Sequence, residues 1–225
     1  MVRFFDILFS ACAIIVLSPL LIPVSIALRL TGEGEVFYVQ KRIGKGGQEF
    51  KLLKFATMLK NSPSLGSGTI TVKDDPRILP LGKYLRKSKV NELPQLINIF
   101  VGDMSVIGPR PLTFQAFQSY RRQDQDNIIK VRPGLSGIGS IVFRGEEDIL
   151  SDSEGSIEFY KDVIAPYKGA LETWFVANCT IANYFRAIYV TLVVVLNPRS
   201  IVFWKVFPGV PTPPERLKPL LNYPA

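Results

Sequence analysis

The sequence predicts an α+β chain, mostly helical, with a membrane segment ahead of a charged globular part. Three observations carry this. Ile7 to Leu28 is a run of 22 residues without a charge. Two strand-like runs, VFYVQ (36–40) and FKLLKF (50–55), flank a glycine-rich turn and read as a small β-hairpin. Beyond them, apolar residues return at helical spacing. The composition agrees: the 225 residues are 47% hydrophobic yet 20% charged, a mixture expected of membrane segments joined to a globular part.

The net charge of +8 points to anionic partners: membrane lipid, nucleic acid or phosphorylated small molecules. There is no histidine, which excludes histidine bases, histidine metal ligands and Ser-His or Cys-His nucleophile pairs. Cys12 and Cys179 form neither a disulfide framework nor a zinc pattern, so a reducing compartment is expected.

The elements follow in order. As a helix, Ile7–Leu28 would be roughly 33 Å long, about the thickness of a hydrocarbon core. Pro19, directly after Ser18, and Pro23 each remove a backbone N–H, so a kink or break is expected there. A kinked span and a hairpin that leaves by the face it entered both remain open. The run is too long for a signal peptide, and no small-residue cleavage site follows it. Gly44, Gly46 and Gly47 lie in the hairpin turn. They read as a plain turn and not as a P-loop, because no Lys-Ser or Lys-Thr follows at the right offset. NSPSLGSGT (61–69) reads as a loop, DDPR (74–77) as a turn and ILPLGKYLRKSK (78–89) as the approach to a short basic helix.

SKVNELPQLINIF (88–100) is the most informative stretch. Asn91 is a favoured N-cap residue, with Glu92, Leu93 and Pro94 in the first turn. Leu93, Leu96, Ile97 and Phe100 recur as one helical face, expected to be buried. A carboxylate at this end of a helix is favoured by the dipole, beside free N–H groups that suit an anion. Acids in a first turn are more often caps than catalysts. GDMSVIGPRP (102–111) then presents Arg110 between prolines, and KVRPGLSGIGS (130–140) repeats the device with Arg132. Rigid loops carrying arginine suit bidentate phosphate recognition. Glu146, Glu147 and Asp148 could bind a divalent cation, though such runs are more often solvated. Thr173–Leu196 is a second apolar stretch, interrupted by Asn178, Asn183 and Arg186. It is expected to lie on a membrane surface or in the core rather than to span. The tail, 207–225, is proline-rich and expected to be extended.

Taken together, these blocks resemble the bacterial sugar transferases, the monotopic phosphoglycosyltransferases that start glycan assembly on a polyprenyl phosphate carrier. The resemblance runs through the apolar segment with Ser18-Pro19, QKRIG (40–44), FKLLKFATM (50–58), DDPRI (74–78), LGKYLRKSKVNELPQLINIFVGDMSVIGPRP (81–111) and VRPGLSG (131–137). It implies transfer of a sugar-1-phosphate from a nucleotide diphosphosugar, expected to be a UDP-sugar, to polyprenyl phosphate, with Mg²⁺ as cofactor. It implies a re-entrant N-terminal helix broken at Ser18 and Pro19. It also implies interfacial amphipathic helices around a compact catalytic domain on the cytoplasmic face of the bacterial inner membrane. The corresponding division is 1–32 membrane segment, 33–206 catalytic domain and 207–225 tail. Lys54, Arg86, Arg110 and Arg132 are then candidates for substrate phosphate. Membrane lipid is an expected partner, a homodimer is an open arrangement, and nucleic acid is not expected, since no nucleic-acid-binding signature supports it.

The family carries an adjacent Asp-Glu pair at the start of the ELPQL helix, with the Asp as nucleophile. Here that position is Asn91, and Glu92 alone remains. Ala56 stands where a basic residue is usual, and Tyr184 where an acid is common. Three accounts follow. Glu92 is the nucleophile; or polyprenyl phosphate attacks directly while Glu92 positions Mg²⁺; or the chain is an inactive homologue that binds carrier lipid, nucleotide sugar or a partner transferase.

Overall fold

The computed structural model describes residues 1–64, 75–145, 149 and 156–224. Part of the expected loop at 61–69, Asp74 of the expected turn, and the acids Glu146, Glu147 and Asp148 lie outside these residues. The described chain is mostly helical with two small two-stranded sheets, the α+β class expected. It divides into two compact units, one of 7–41 and 51–102, the other of 1–6, 42–50 and 103–225.

The N-terminal helix α1 (Val2–Leu30) runs unbroken through Pro19 and Pro23. The expected break at Ser18-Pro19 is therefore not a break of the helical backbone. Pro19 cannot donate to the Ile15 carbonyl, and the Ser18 hydroxyl donates to it instead at 2.7 Å. The helix is long and apolar enough to cross a membrane, and little of it is covered by protein.

In the first unit, Leu28 at the end of α1 packs with Phe55 and Leu85, with Leu21, Val24 and Val90 around them. Phe55 ends strand β2 (Glu49–Phe55), which pairs with β1 (Phe37–Ile43). Leu85 lies on α2 (Pro80–Lys87), the short basic helix expected. Gly82 of α2 lies so close to the hairpin's exit that a Cβ there would stand 2.2 Å from the Thr57 carbonyl oxygen.

The other unit is organised around β3 (Ser105–Ile107) and β4 (Gly134–Ser136), which pair in parallel with Ser105 opposite Gly134 and Ile107 opposite Ser136. Parallel strands require a long crossover. Here it contains α4 (Phe114–Gln118) and α5 (Arg122–Ile128). After β4 come α6 (Ile138–Val142), α7 (Ser156–Phe159), a π turn at Tyr160–Ile164 and α8 (Ala165–Ala177).

The second apolar stretch is split. α8 ends at Asn178, and the Thr180 hydroxyl accepts the Asn183 N–H to cap α9 (Ile181–Leu196). One face of α9 buries Tyr184, Ala187, Val190 and Val194, while Phe185, Tyr189, Leu192, Val195 and Leu196 stay exposed. The tail, after α10 (Val202–Val206), is not simply extended. Leu217 and Leu221 are buried, Trp204 donates to the Leu221 carbonyl and Tyr167 to that of Pro211. Leu217 and Leu221, four residues apart, give the proline-rich segment enough apolar surface to fold back.

Candidate active site

Asn91 is not an N-cap. Lys89 takes a left-handed conformation (φ 59°) and starts a 3-10 turn over Val90–Glu92, and the helix proper, α3, spans Gln95–Val101 with Pro94 ahead of it. Main-chain bonds from Glu92 to Lys89 and from Leu93 to Val90 close the turn. Asn91 thereby points inward: it is 7% exposed, and its Oδ1 is buried without a hydrogen-bond partner. A cap would have accepted a main-chain N–H. This position is instead a buried carbonyl oxygen left for something else, or left at a cost.

The expected buried face of α3 is also rotated. Leu96 is buried, but Ile97 and Phe100 are exposed, and Gln95, Asn98 and Ile99 face inward. The cause is Asn98. Its Oδ1 accepts the Leu53 N–H at 2.9 Å, and its Nδ2 donates to the Lys51 carbonyl at 2.8 Å. The side chain behaves as an extra residue of the sheet edge and ties α3 to β2. Periodicity could not find it, because it rests on a polar residue meeting a strand far away in sequence.

This tie sets the central pair of the site. Lys54 on β2 and Glu92 on the 3-10 turn meet at 3.0 Å, with side chains 18% and 25% exposed. The carboxylate is thus reachable yet held by a cation. Arg86, the second expected phosphate ligand of this unit, lies on α2 and donates to the Met58 sulfur at 3.7 Å.

Arg110 and Arg132 belong to the other unit, where the β3–β4 pairing brings their two Arg–Pro loops together. Gly108 N–H donates to Ser136 O, Gly134 N–H to Pro109 O, and Ser105 N–H to Pro133 O. A Cβ on Gly108 would stand 2.4 Å from the Arg132 carbonyl oxygen, so only glycine permits the approach. The loop's far end is fixed by the Arg42 guanidinium on Pro111 O and by Ile43 N–H on Leu112 O. Arg110 carries an exposed side chain on this rigid main chain, and Arg132 is partly buried.

Beneath these loops lies Glu172 of α8, which sequence reasoning did not single out. It is 2% exposed, and burial pushes its carboxyl up to about 7, against the pull of Arg110 and Gly139 main-chain N–H groups and the charges of Lys168 and Arg110. Asp6 was also missed. Its carboxylate is buried and accepts from Ser105 Oγ, Val106 N and Tyr184 OH at 2.8 to 2.9 Å. Tyr184, the departure noted in the sequence, is therefore the partner of an acid; a second acid there would face Asp6 as a like charge.

The glycine turn between β1 and β2 is structural. The N–H groups of Gly44, Gly46 and Gly47 donate to the carbonyls of Gln48, Ile129 and Gly44, and Gly46 and Gly47 take positive φ. None of the three amides is left for phosphate.

No group of three or more His, Cys, Asp or Glu side chains gathers among the described residues. Mg²⁺ is commonly held by one or two carboxylates plus substrate phosphates. Glu92, partly exposed on its turn, fits that sparing mode, whereas the Asn91 oxygen is turned inward.

Most of the chain is similar to known proteins. The family model described as "Bacterial sugar transferase" matches residues 1–198. The exopolysaccharide production protein ExoY of Sinorhizobium fredii is 37% identical over 158 residues, 64% of this chain and 70% of that protein. The UDP-glucose:undecaprenyl-phosphate glucose-1-phosphate transferase of Klebsiella pneumoniae is 36% identical over 162 residues, 70% of this chain but 34% of that protein. The undecaprenyl-phosphate galactose phosphotransferase of Salmonella typhimurium is 31% identical over 209 residues, 87% of this chain and 40% of that protein. The chain thus spans well under half the length of the latter two.

Proposed function

The chain belongs to the bacterial sugar transferase family, and on that premise we propose that it transfers a sugar-1-phosphate from a UDP-sugar to polyprenyl phosphate. The observation that carries this reading is the Lys54–Glu92 pair at 3.0 Å, within the family-matched region. In the overall reaction, an oxygen of polyprenyl phosphate becomes bonded to the β-phosphorus of the nucleotide sugar. The bond from that phosphorus to the bridging oxygen breaks, and nucleoside monophosphate leaves.

Glu92 is the carboxylate of the reaction, since position 91 offers an amide turned inward. It acts either as the nucleophile, carrying the phosphosugar before the lipid phosphate displaces it, or, where the lipid phosphate attacks directly, as the group that would position Mg²⁺. Lys54 holds it by the 3.0 Å ion pair and places positive charge where phosphoryl transfer spreads negative charge. Arg86, Arg110 and Arg132 are assigned to the substrate phosphates. Mg²⁺ would be held by Glu92 and would neutralise diphosphate charge when bound.

The membrane assignment rests on α1 and on the exposed apolar face of α9, which suits an interface. In this reading α1 is embedded in the bacterial inner membrane, and the globular part lies on its cytoplasmic face.

The test is nucleoside monophosphate release by nanodisc-held protein with undecaprenyl phosphate, Mg²⁺ and UDP-sugars. Wild type should release it, and Glu92→Gln should lower the rate by at least about a hundredfold. A phosphosugar adduct trapped on Glu92 would select the nucleophile route. Silence from wild type with every UDP-sugar would sink the proposal.

A further inference from the structure

Glu172 is a buried acid with no direct part in this chemistry, yet it lies at the base of both Arg–Pro loops. Its Oε1 accepts a long hydrogen bond from the Arg110 main-chain N–H at 3.5 Å, and the Gly139 main-chain N–H also bonds the carboxyl. Its Oε2 is buried without a hydrogen-bond partner. The neighbouring glycines are shaped to it. A Cβ on Gly139 would stand 2.5 Å from Oε1, and one on Gly137 would stand 2.1 Å from the Gly108 carbonyl oxygen and 3.8 Å from Oε2.

Burying a carboxyl is expensive, and packing alone would be served better by an apolar side chain. What the acid supplies is a single acceptor shared between two loops. The other fixed points of the 108–112 segment already have partners: Gly108 N–H on Ser136, the Pro109 carbonyl with Gly134 N–H, Pro111 O with Arg42 and Leu112 O with Ile43. At Arg110, the residue whose side chain stands exposed, the main chain is held by a side chain. The charged groups facing the carboxyl are Lys168, one turn earlier on α8, and Arg110 itself. Asp124 of α5 packs on the same helix at Gly169 and accepts from Thr173.

We propose that Glu172 is a positioning residue: its carboxyl fixes the Arg110 main chain against the Gly137–Gly139 turn and thereby sets where the Arg110 guanidinium meets a substrate phosphate. This rests on the assignment of Arg110 to phosphate. A side chain as long as arginine turns a small main-chain shift into a large displacement of its head group, and recognition of phosphate by a fork of donors tolerates little misplacement.

The test is a double-mutant cycle on the full chain in nanodiscs, read as the Kd for UDP-glucose by calorimetry. Arg110→Ala and Glu172→Ala should each weaken binding about tenfold. The double variant should be no weaker than Arg110→Ala by more than about twofold, because Glu172 acts only through Arg110. Glu172→Gln, which keeps an acceptor oxygen, should stay within about threefold of wild type. If Glu172→Ala does not fold, Glu172→Asp takes its place in the cycle, since it keeps the acid but withdraws it by one methylene. Additive losses, or a Gln variant as weak as the Ala variant, overturn the positioning role and leave Arg110 as a ligand. Unchanged binding by Arg110→Ala, or none by wild type, overturns both assignments.

Discussion

Glu172, Asn91 and Glu92 are acids or amides of similar size, and the structure gives them three different fates. Glu172 is buried with its carboxyl near 7, well above the ordinary value of 4.5. The folded chain therefore keeps a proton that the unfolded chain gives up above about 4.5. Stability from this group is full below that value and is lost as pH rises to about 7, by about 3 kcal/mol at most. Thermal melting of wild type should fall relative to Glu172→Gln between pH 5 and pH 8. Parallel curves would show that the carboxyl is not held protonated. Asn91 poses a different question. Asn91→Asp would put a second carboxyl in a buried position beside Glu92, so it should lower stability by about 1 to 3 kcal/mol. A denaturant titration with an unchanged midpoint would mean that the position is better solvated than its 7% exposure indicates.

At the scale of elements, the functional turn owes its place to packing as much as to its own sequence. Asn98 bonds both Leu53 N–H and Lys51 O, and this fixes α3 on the strand that carries Lys54. Asn98→Ala should cost about 2 kcal/mol and lower nucleoside monophosphate release along with stability, since Lys54 and Glu92 depend on the same tie. Full activity in a destabilised Asn98→Ala protein would separate the two. Gly82→Ala tests the neighbouring contact. Its Cβ would stand 2.2 Å from the Thr57 carbonyl oxygen, a main-chain atom that cannot move aside cheaply. A loss of about 2 to 4 kcal/mol is expected, read from the unfolding midpoint.

For the whole molecule, the decisive feature is α1, largely uncovered by protein over its apolar window. Such a surface is unstable in water. The full chain should remain in the membrane pellet after alkaline carbonate or high-salt washing, and release by salt alone would reduce the attachment to surface charge. Asp6 anchors the start of α1 to Ser105, Val106 and Tyr184 inside one unit, so its removal is a structural lesion as well as a loss of charge.

Local pattern alone determined much of this protein. The apolar run, the glycine hairpin, the short basic helix and the two Arg–Pro loops were all legible, because each rests on neighbours in sequence. The motif order also sufficed to identify the family, including Glu92 without its usual aspartate. Tertiary structure decided the rest. Asn91 became a buried orphan rather than a cap because Lys89 turned left-handed ahead of it. The α3 face rotated because Asn98 satisfied a distant strand. The helix carried on through Pro19 because a serine supplied the missing donor. The proline-rich tail folded back on buried leucines. Glu172 and Asp6 gained their roles from partners tens of residues away or more. For Asn98, the tail, Glu172 and Asp6, a hydrogen bond or buried contact between residues distant in sequence outweighed the local pattern, and such pairings leave no trace in local periodicity.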